Sequence, residues 1–171
     1  MIDSDDLLDI VNEKDEVIGA DTKFNKFEKE LISRNVVAFL KNPKGKYVVV
    51  RRAPTKKSFP NLLDISACGN VNKGETYQEA IKREIKEELG IECSVRLLTK
   101  IYNESCENGK KVKYFTAIFL GTTREKLRPN KEHEIQQSMN IDELGLKIKN
   151  NPELFTPFFV NDFREVESLL R

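Results

Sequence analysis

Four glutamates and an arginine crowd one short stretch of this 171-residue chain: Glu75, Arg83, Glu84, Glu87 and Glu88. A helical residue advances by about 100°, so a helix here gathers Glu84, Glu87 and Glu88 into a wedge of about 100°. Ile81, Ile85 and Leu89 form the neighbouring apolar stripe. Burying that stripe against a sheet sets the carboxylates at the rim of the interface, over a cleft. Arg83 lies one turn before Glu87 and is spaced to pair with it. Like charges one turn apart cost about 0.2–0.5 kcal/mol per pair when exposed, and more when desolvated. Three of them call for a compensating cation. Hard oxygen ligands favour Mg²⁺ or Mn²⁺, and Mg²⁺ is commonly held by one or two carboxylates together with substrate phosphates. Taken alone, Glu84–Glu88 reads as a solvated charged face; the spacing of the residues around it is what favours a metal site.

The elements that must position these groups follow from local pattern. Thr76-Tyr77-Gln78-Glu79 has the form of a capping box and opens the helix; Gly90 closes it, because glycine enters the left-handed conformation cheaply. The loop Asn70–Gly74 folds back over the helix start and brings Glu75 to the cluster. Upstream, Leu7–Val11 and Val17–Ala20 flank the polar Asn12–Glu16 and predict an N-terminal hairpin over about 7–20. Phe24–Ile32 reads as a short amphipathic helix or an irregular cover. Asn35–Leu40 and Lys46–Arg52, around Asn42-Pro43-Lys44-Gly45, predict a second hairpin. Pro54 and Pro60 bracket a basic loop, and Leu62–Cys68 reads as a strand leading into Gly69. Cys93–Tyr102 and Lys113–Gly121 predict two further strands about the polar turn Glu107-Asn108-Gly109. Ile141–Ile148 and Phe155–Leu170, the latter with Pro157 in its first turn, predict helices. The sum is an α/β (α+β) fold, a mixed sheet between helices, in one domain over residues 1–171.

Composition narrows the partners. A net charge of +1, with 33% charged and 39% hydrophobic residues, argues against nucleic-acid binding through bulk charge, so affinity for phosphate must come from a local cluster. No apolar run approaches the ~20 residues that span a bilayer. The acidic start MIDSDDLLDIV lacks the order of a secretory signal. Cys68, Cys93 and Cys106 are odd in number and form no CxxC pair, which points to reduced thiols and a cytoplasmic setting. His133 is the sole histidine; it reads as an exposed loop residue, and a structural zinc site is not expected.

The stretch Gly69-N-V-N-K-G-Glu75-T-Y-Q-E-A-I-K-Arg83-Glu84-Ile85-K-Glu87-Glu88-L-Gly90-Ile91 fills every fixed position of the Nudix box, and over it the chain resembles the Nudix hydrolases. The resemblance implies the Nudix fold and attack of water on a diphosphate linkage. The metal in such a reaction neutralises phosphate oxygens, polarises phosphorus and lowers the pKa of a bound water. It also implies Gly69 (through its carbonyl), Glu75, Glu84, Glu87 and Glu88 as metal ligands, with Arg83, Glu84, Glu87 and Glu88 as the catalytic set. A later glutamate sometimes serves as base in this family; Glu134 is placed for that, with Glu132 as second choice.

Outside the box, the chain is similar to the isopentenyl-diphosphate isomerases and their bacterial hydrolase-like relatives. The matching segments are Leu8–Asn12, Lys44-Gly45, Val49–Ala53, Thr55–Pro60, Ser66–Gly69 and Phe155–Phe159. This resemblance implies that Arg51, Arg52, Lys56 and Lys57 grip diphosphate through charge-assisted bonds. It also places Cys68 where the isomerases carry their catalytic cysteine; its plainer reading is a small apolar strand residue. The departures point away from isomerisation. Asn70 stands where those enzymes have a metal-binding histidine, no histidine lies upstream of His133, and Val112, Lys113 and Tyr114 occupy the neighbourhood of a missing glutamate pair. The box that is degraded in the isomerases is complete here. The expectation is therefore a Mg²⁺-dependent (or Mn²⁺-dependent) Nudix pyrophosphohydrolase acting on a small-molecule diphosphate, a nucleoside-diphosphate derivative or similar metabolite. The alternatives are an isopentenyl-diphosphate delta-isomerase and a non-catalytic module that binds a diphosphate metabolite. The N-terminal hairpin offers a surface for a homodimer.

Overall fold

The computed structural model describes residues 7–107 and 109–171. Its elements run β1 (Leu7–Val11), β2 (Val17–Thr22), α1 (Lys23–Glu28), β3 (Ile32–Lys41), β4 (Tyr47–Arg52), β5 (Leu63–Asp64), β6 (Ala67–Asn70), α2 (Tyr77–Leu89), β7 (Val95–Glu107), β8 (Lys110–Thr122), β9 (His133–Met139), α3 (Ile141–Asn150) and α4 (Pro157–Leu170). Met1–Asp6 and Asn108, the latter part of an expected turn, lie outside the described residues.

Strand β3 divides the core. Val36, Ala38 and Leu40 pack with Ile81, Ile85 and Leu89 of α2. Val37 and Phe39 pack with Phe159 and Phe163 of α4 and Leu144 and Ile148 of α3. Successive residues of a strand point to opposite faces, so an uninterrupted apolar run is what a strand covered on both sides requires. The sheet is mixed, since β3 runs parallel to β8 and antiparallel to β6. The expected α+β architecture, a mixed sheet between helices, is what the chain adopts.

The second predicted hairpin departs from expectation. β3 and β4 share only the pair Lys41↔Tyr47, and β4 pairs instead with β5 and β9. The hydroxyl of Ser66 stands between the separating strands, accepting from the Leu40 N–H at 3.0 Å and donating to the Val48 carbonyl at 2.7 Å. The same insertion breaks the predicted strand Leu62–Cys68 into β5 and β6, so the box begins inside a strand: Val36 pairs with Gly69 and Val37 with Cys68. α1 ends at Glu28, carries no buried side chain, and leaves Ile32 to β3.

The N-terminal hairpin forms, with β1 antiparallel to β2, and it holds the box loop. The Lys73 N–H donates to the Leu7 carbonyl at 2.8 Å and the Gly74 N–H to the Asp9 carboxylate at 3.0 Å. Asp15 accepts from Arg34 at 2.6 Å, from the Tyr77 hydroxyl at 3.0 Å and from Lys100. Tyr77 is the first residue of α2, so the hairpin fixes both the loop and the helix that carry the glutamates. Among the described residues no helix is long and apolar enough to cross a membrane.

Candidate metal and diphosphate site

Helix α2 is bounded as the sequence predicts. Thr76 accepts from the Glu79 N–H at 3.2 Å and Glu79 accepts from the Thr76 N–H at 2.8 Å; Gly90 ends the helix at φ 64°. Ile81, Ile85 and Leu89 are fully buried. That burial rotates the glutamates to different depths. Glu88 is 8% exposed, Glu84 is half-buried and Glu87 is exposed, so the cleft receives two of the three.

Both inward carboxylates dock on the backbone of β6. Glu88 Oε2 accepts from the Cys68 N–H at 3.0 Å. Glu84 occupies the space a side chain at position 69 would fill: a Cβ on Gly69 would stand 2.0 Å from Glu84 Oε1. Gly69 is thus required for room. Because the obstructing atoms are the end of a flexible side chain, Gly69→Ala is expected to fold with nearly unchanged thermal stability while pushing Glu84 aside. Displacing a reacting group by about an ångström costs about 10²-fold in rate. Thermal unfolding and diphosphate turnover measured together test this; an active Gly69→Ala protein overturns it.

Arg83 organises the remaining charges. It donates to Glu75 at 2.7 and 2.9 Å, to Glu84 at 2.6 Å, to the Asn70 carbonyl at 2.9 Å and, most distantly, to Glu87 at 3.3 Å. The expected Arg83–Glu87 pair exists, but Glu75 and Glu84 hold the guanidinium more closely. Burial pushes Glu75 upward, yet the hydrogen bonds from Arg83 and the Asn72 N–H hold it below the usual carboxylate range. For Glu84 burial outweighs Arg83 and the carboxyl is raised. Burial lifts Glu88 furthest, to about 8, against the lowering effect of the Cys68 N–H. Glu88, and Glu84 even beside Arg83, are therefore costly to keep ionised without a further cation.

A later loop closes over the C-terminal end of α2. The Arg128 and Asn130 N–H groups donate to the Leu89 and Glu88 carbonyls at 2.8 and 3.0 Å, satisfying acceptors that a helix end leaves open. This brings Glu132 and His133 to Glu88. His133 is buried at 5% exposure at the start of β9, opposite Arg52, which corrects the expectation of an exposed loop residue. Among the described residues, Glu88, Glu132 and His133 form a group of three whose ligand atoms lie within 4.8 Å of one another. Glu134, the first choice for a later base, is the second residue of β9; Glu132, exposed like Glu134, lies in the turn just before the strand and belongs to the group of three. Glu132 is the nearer acid.

The basic residues are partly committed. Arg52 pairs with Asp64 at 3.0 Å and donates to the Ser58 carbonyl; Arg51 donates to the Asn61 carbonyl at 2.8 Å; Lys56 pairs with Glu132 at 2.5 Å. Arg52 and Lys57 line a cavity of about 580 Å³ that also reaches Cys68, Gly69 and Asn70. Phe158 lines the same cavity, its ring 5.6 Å from Phe59 and 6.2 Å from Tyr114. Phe59 holds φ at 51°, a strained position for a bulky residue. The cavity wall also includes Asn35, whose Oδ1 is buried without a hydrogen-bond partner, and Asp162, which burial raises to about 7. Sequence reading missed these two. The available signal was Asp162 itself, a charged residue on the stripe Phe159, Phe163, Val166 and Leu170 that faces the core. Cys68 lines the cavity, its thiol raised by burial and by Asp64 and Glu88.

The NUDIX domain family matches residues 31–158. The chain belongs to the Nudix family. A curated "Nudix hydrolase" of Deinococcus radiodurans is 47% identical over 89 residues, 52% of this chain and 52% of that protein; the matched stretch spans about half the length of that relative. An "Isopentenyl-diphosphate Delta-isomerase 2" of Photorhabdus laumondii is 27% identical over 157 residues, 91% of this chain and 89% of that one. The isomerase-like character seen outside the box is thus found in a Nudix relative that aligns over most of the chain. Among solved structures, DR0079 from Deinococcus radiodurans superposes with a TM-score of 0.73 at 29% identity, covering 93% of this chain and 98% of that one.

Proposed function

We propose that the chain is a cytoplasmic Nudix pyrophosphohydrolase that uses Mg²⁺ or Mn²⁺ to cleave a diphosphate linkage in a nucleoside-diphosphate derivative or similar metabolite. The observation that carries this reading is the docking of Glu84 and Glu88 on β6, the strand that also forms one end of the cavity. A divalent ion there supplies Lewis-acid polarisation and an acidified water. The residues fit it, since two raised carboxyls sit side by side and Glu75 and Glu87 flank them on Arg83. Arg83 holds the outer carboxylates in place. Arg52 and Lys57 face the cavity and supply charge-assisted bonds to phosphate oxygens.

The cavity wall supports a flat polar group beyond the diphosphate. Phe59, Phe158 and Tyr114 offer ring faces and edges, while Asn35 and Asp162 offer hydrogen-bonding atoms. Asn35 Oδ1 and Asp162 are already buried in the free protein, so a polar ligand gains by satisfying them while an isoprenoid chain gains nothing there. A nucleobase edge carries the donors that such groups lack. The test is phosphorus NMR of nucleoside-diphosphate derivatives, isopentenyl diphosphate and longer prenyl diphosphates incubated with the protein and Mg²⁺. Turnover of nucleotide derivatives over prenyl diphosphates is expected; an inert panel beside an active control enzyme sinks the hydrolase reading. The isomerase reading keeps one observation, Cys68 on the cavity wall. Cysteine-dependent deuterium exchange from D₂O into isopentenyl diphosphate would favour it.

A further inference from the structure

One ring nitrogen of the buried His133 imidazole has no partner among the described residues. That side chain is 3% exposed, yet Nδ1 makes no hydrogen bond among the described residues. A buried, unsatisfied ring nitrogen costs about 1–3 kcal/mol, so its retention calls for a partner outside the chain. The atom is aimed at a carboxylate: Nδ1 stands 3.9 Å from Glu88 Oε1, too far for a hydrogen bond. Glu132 completes the group, with the three ligand atoms within 4.8 Å of one another. Ligand atoms on one ion at about 2.1 Å lie about 3–4 Å apart, so contraction by at most about 1–2 Å seats a cation. The arrangement is held from behind by strand pairing of His133 with Arg52 and by the Asn130 N–H on the Glu88 carbonyl.

We infer that Glu88, Glu132 and His133 form a mixed carboxylate–imidazole site for a divalent cation, with the His133 nitrogen as a direct ligand. The inference deepens the hydrolase reading and rests on it for the ion's task, though the ligand set stands on its own geometry. Two carboxylates balance the charge of a divalent ion, and a neutral imidazole shifts preference from the oxygen-seeking Mg²⁺ toward Mn²⁺ and later transition ions. Glu132 reaches the site across an ion pair with Lys56 that is half-exposed on the glutamate side, a contact of small worth in water. This set differs from that expected for the box alone, because two of its three members lie beyond it. It is not the structural zinc site that a single histidine argues against: one imidazole suffices here because carboxylates supply the rest.

The composition makes the test decisive. The chain has one histidine, so any imidazole bound to metal in tag-free protein is His133. Electron spin echo envelope modulation of the full-length protein with one equivalent of Mn²⁺ is expected to show ¹⁴N coupling, replaced by a ¹⁵N pattern when histidine is labelled. Mn²⁺ is expected to bind about tenfold or more tightly than Mg²⁺, and His133→Asn to abolish the imidazole coupling and narrow that preference. Mn²⁺ bound without nitrogen coupling overturns the inference, and so does failure to bind Mn²⁺. The wild-type spectrum decides even if the variant does not fold. Hydrolysis without nitrogen coupling removes this site and leaves the hydrolase reading standing; nitrogen coupling with no turnover of any diphosphate does the reverse.

Discussion

Glu84→Gln and Glu88→Gln are each expected to lower kcat by about 10³-fold, with the protein still folded. Both substitutions keep size and shape. In Glu88→Gln the amide oxygen can still accept from the Cys68 N–H, which the carboxylate now engages at 3.0 Å. What is lost is the negative charge that binds a cation at the floor of the cleft. Loss of rate is one half of the expectation. The other half has the opposite sign: Glu88 is buried and raised to about 8, so a neutral amide removes a desolvation cost and stabilises the metal-free protein at pH 8. A residue kept for packing loses stability on substitution, whereas a residue kept for chemistry at the expense of stability gains it. Steady-state rates and urea midpoints on the same samples separate the cases. Unchanged turnover in Glu88→Gln sinks the assigned role.

The sequence makes α2 legible almost to the residue, because its signals are local. A capping box, an apolar stripe at helical spacing and a terminal glycine each act within a turn or two of chain, and all three are realised. The box residues are legible for the same reason, since one helix and the loop before it carry Glu75, Arg83, Glu84, Glu87 and Glu88. The failures are non-local. A hairpin at Asn42–Gly45 is the natural reading of its turn residues, and nothing nearby announces that Ser66 will stand between the strands and separate them. The choice between Glu134 and Glu132 turns on where, in a polar run, the loop ends and β9 begins. Glu132 lies in the turn before β9, whose first pair sets His133 opposite Arg52, and no local signal marks that boundary.

His133 shows the limit most clearly. A lone histidine in Asn130-Lys131-Glu132-His133-Glu134 is surrounded by polar residues and looks solvated. It is buried because the loop before it donates two backbone N–H groups to the end of α2, a contact that composition cannot reveal. The cavity wall has a similar origin. Asn35 comes from the central strand, Phe59 from the basic loop and Asp162 from the last helix, so no window of sequence holds the set.

The second large effect is on stability against pH. With metal removed by chelator, the folded state is expected to weaken steadily between about pH 5 and pH 8. Glu88 has an ordinary value of 4.5 and is held at about 8 in the fold; Asp162 moves from 3.8 to about 7. A folded-state value above the unfolded one means that the folded chain holds the proton longer. That contribution is complete below about pH 4, where both states are protonated, and is lost as pH rises through the folded values. Each group contributes a slope of up to about 1.4 kcal/mol per pH unit where only the unfolded chain has released its proton. His133 works the other way, because burial lowers it from 6.5; its contribution is complete above 6.5 and lost as pH falls. The window from about 6.5 to 8 is therefore the cleanest, with Glu88 dominant. Burial, with Glu84 and Asp64, raises Glu88 and outweighs the Cys68 N–H and Lys56, which lower it. Adding Mn²⁺ or Mg²⁺ favours the ionised carboxyl and stabilises by mass action, so metal should raise the urea midpoint more at pH 8 than at pH 6.5. Glu88→Gln should flatten the slope in that window, and Asp162→Asn should flatten it mainly below pH 7. A metal-free midpoint that holds constant from pH 6.5 to 8 rules out the buried, proton-holding Glu88, and a metal effect equal at both pH values separates cation binding from that residue.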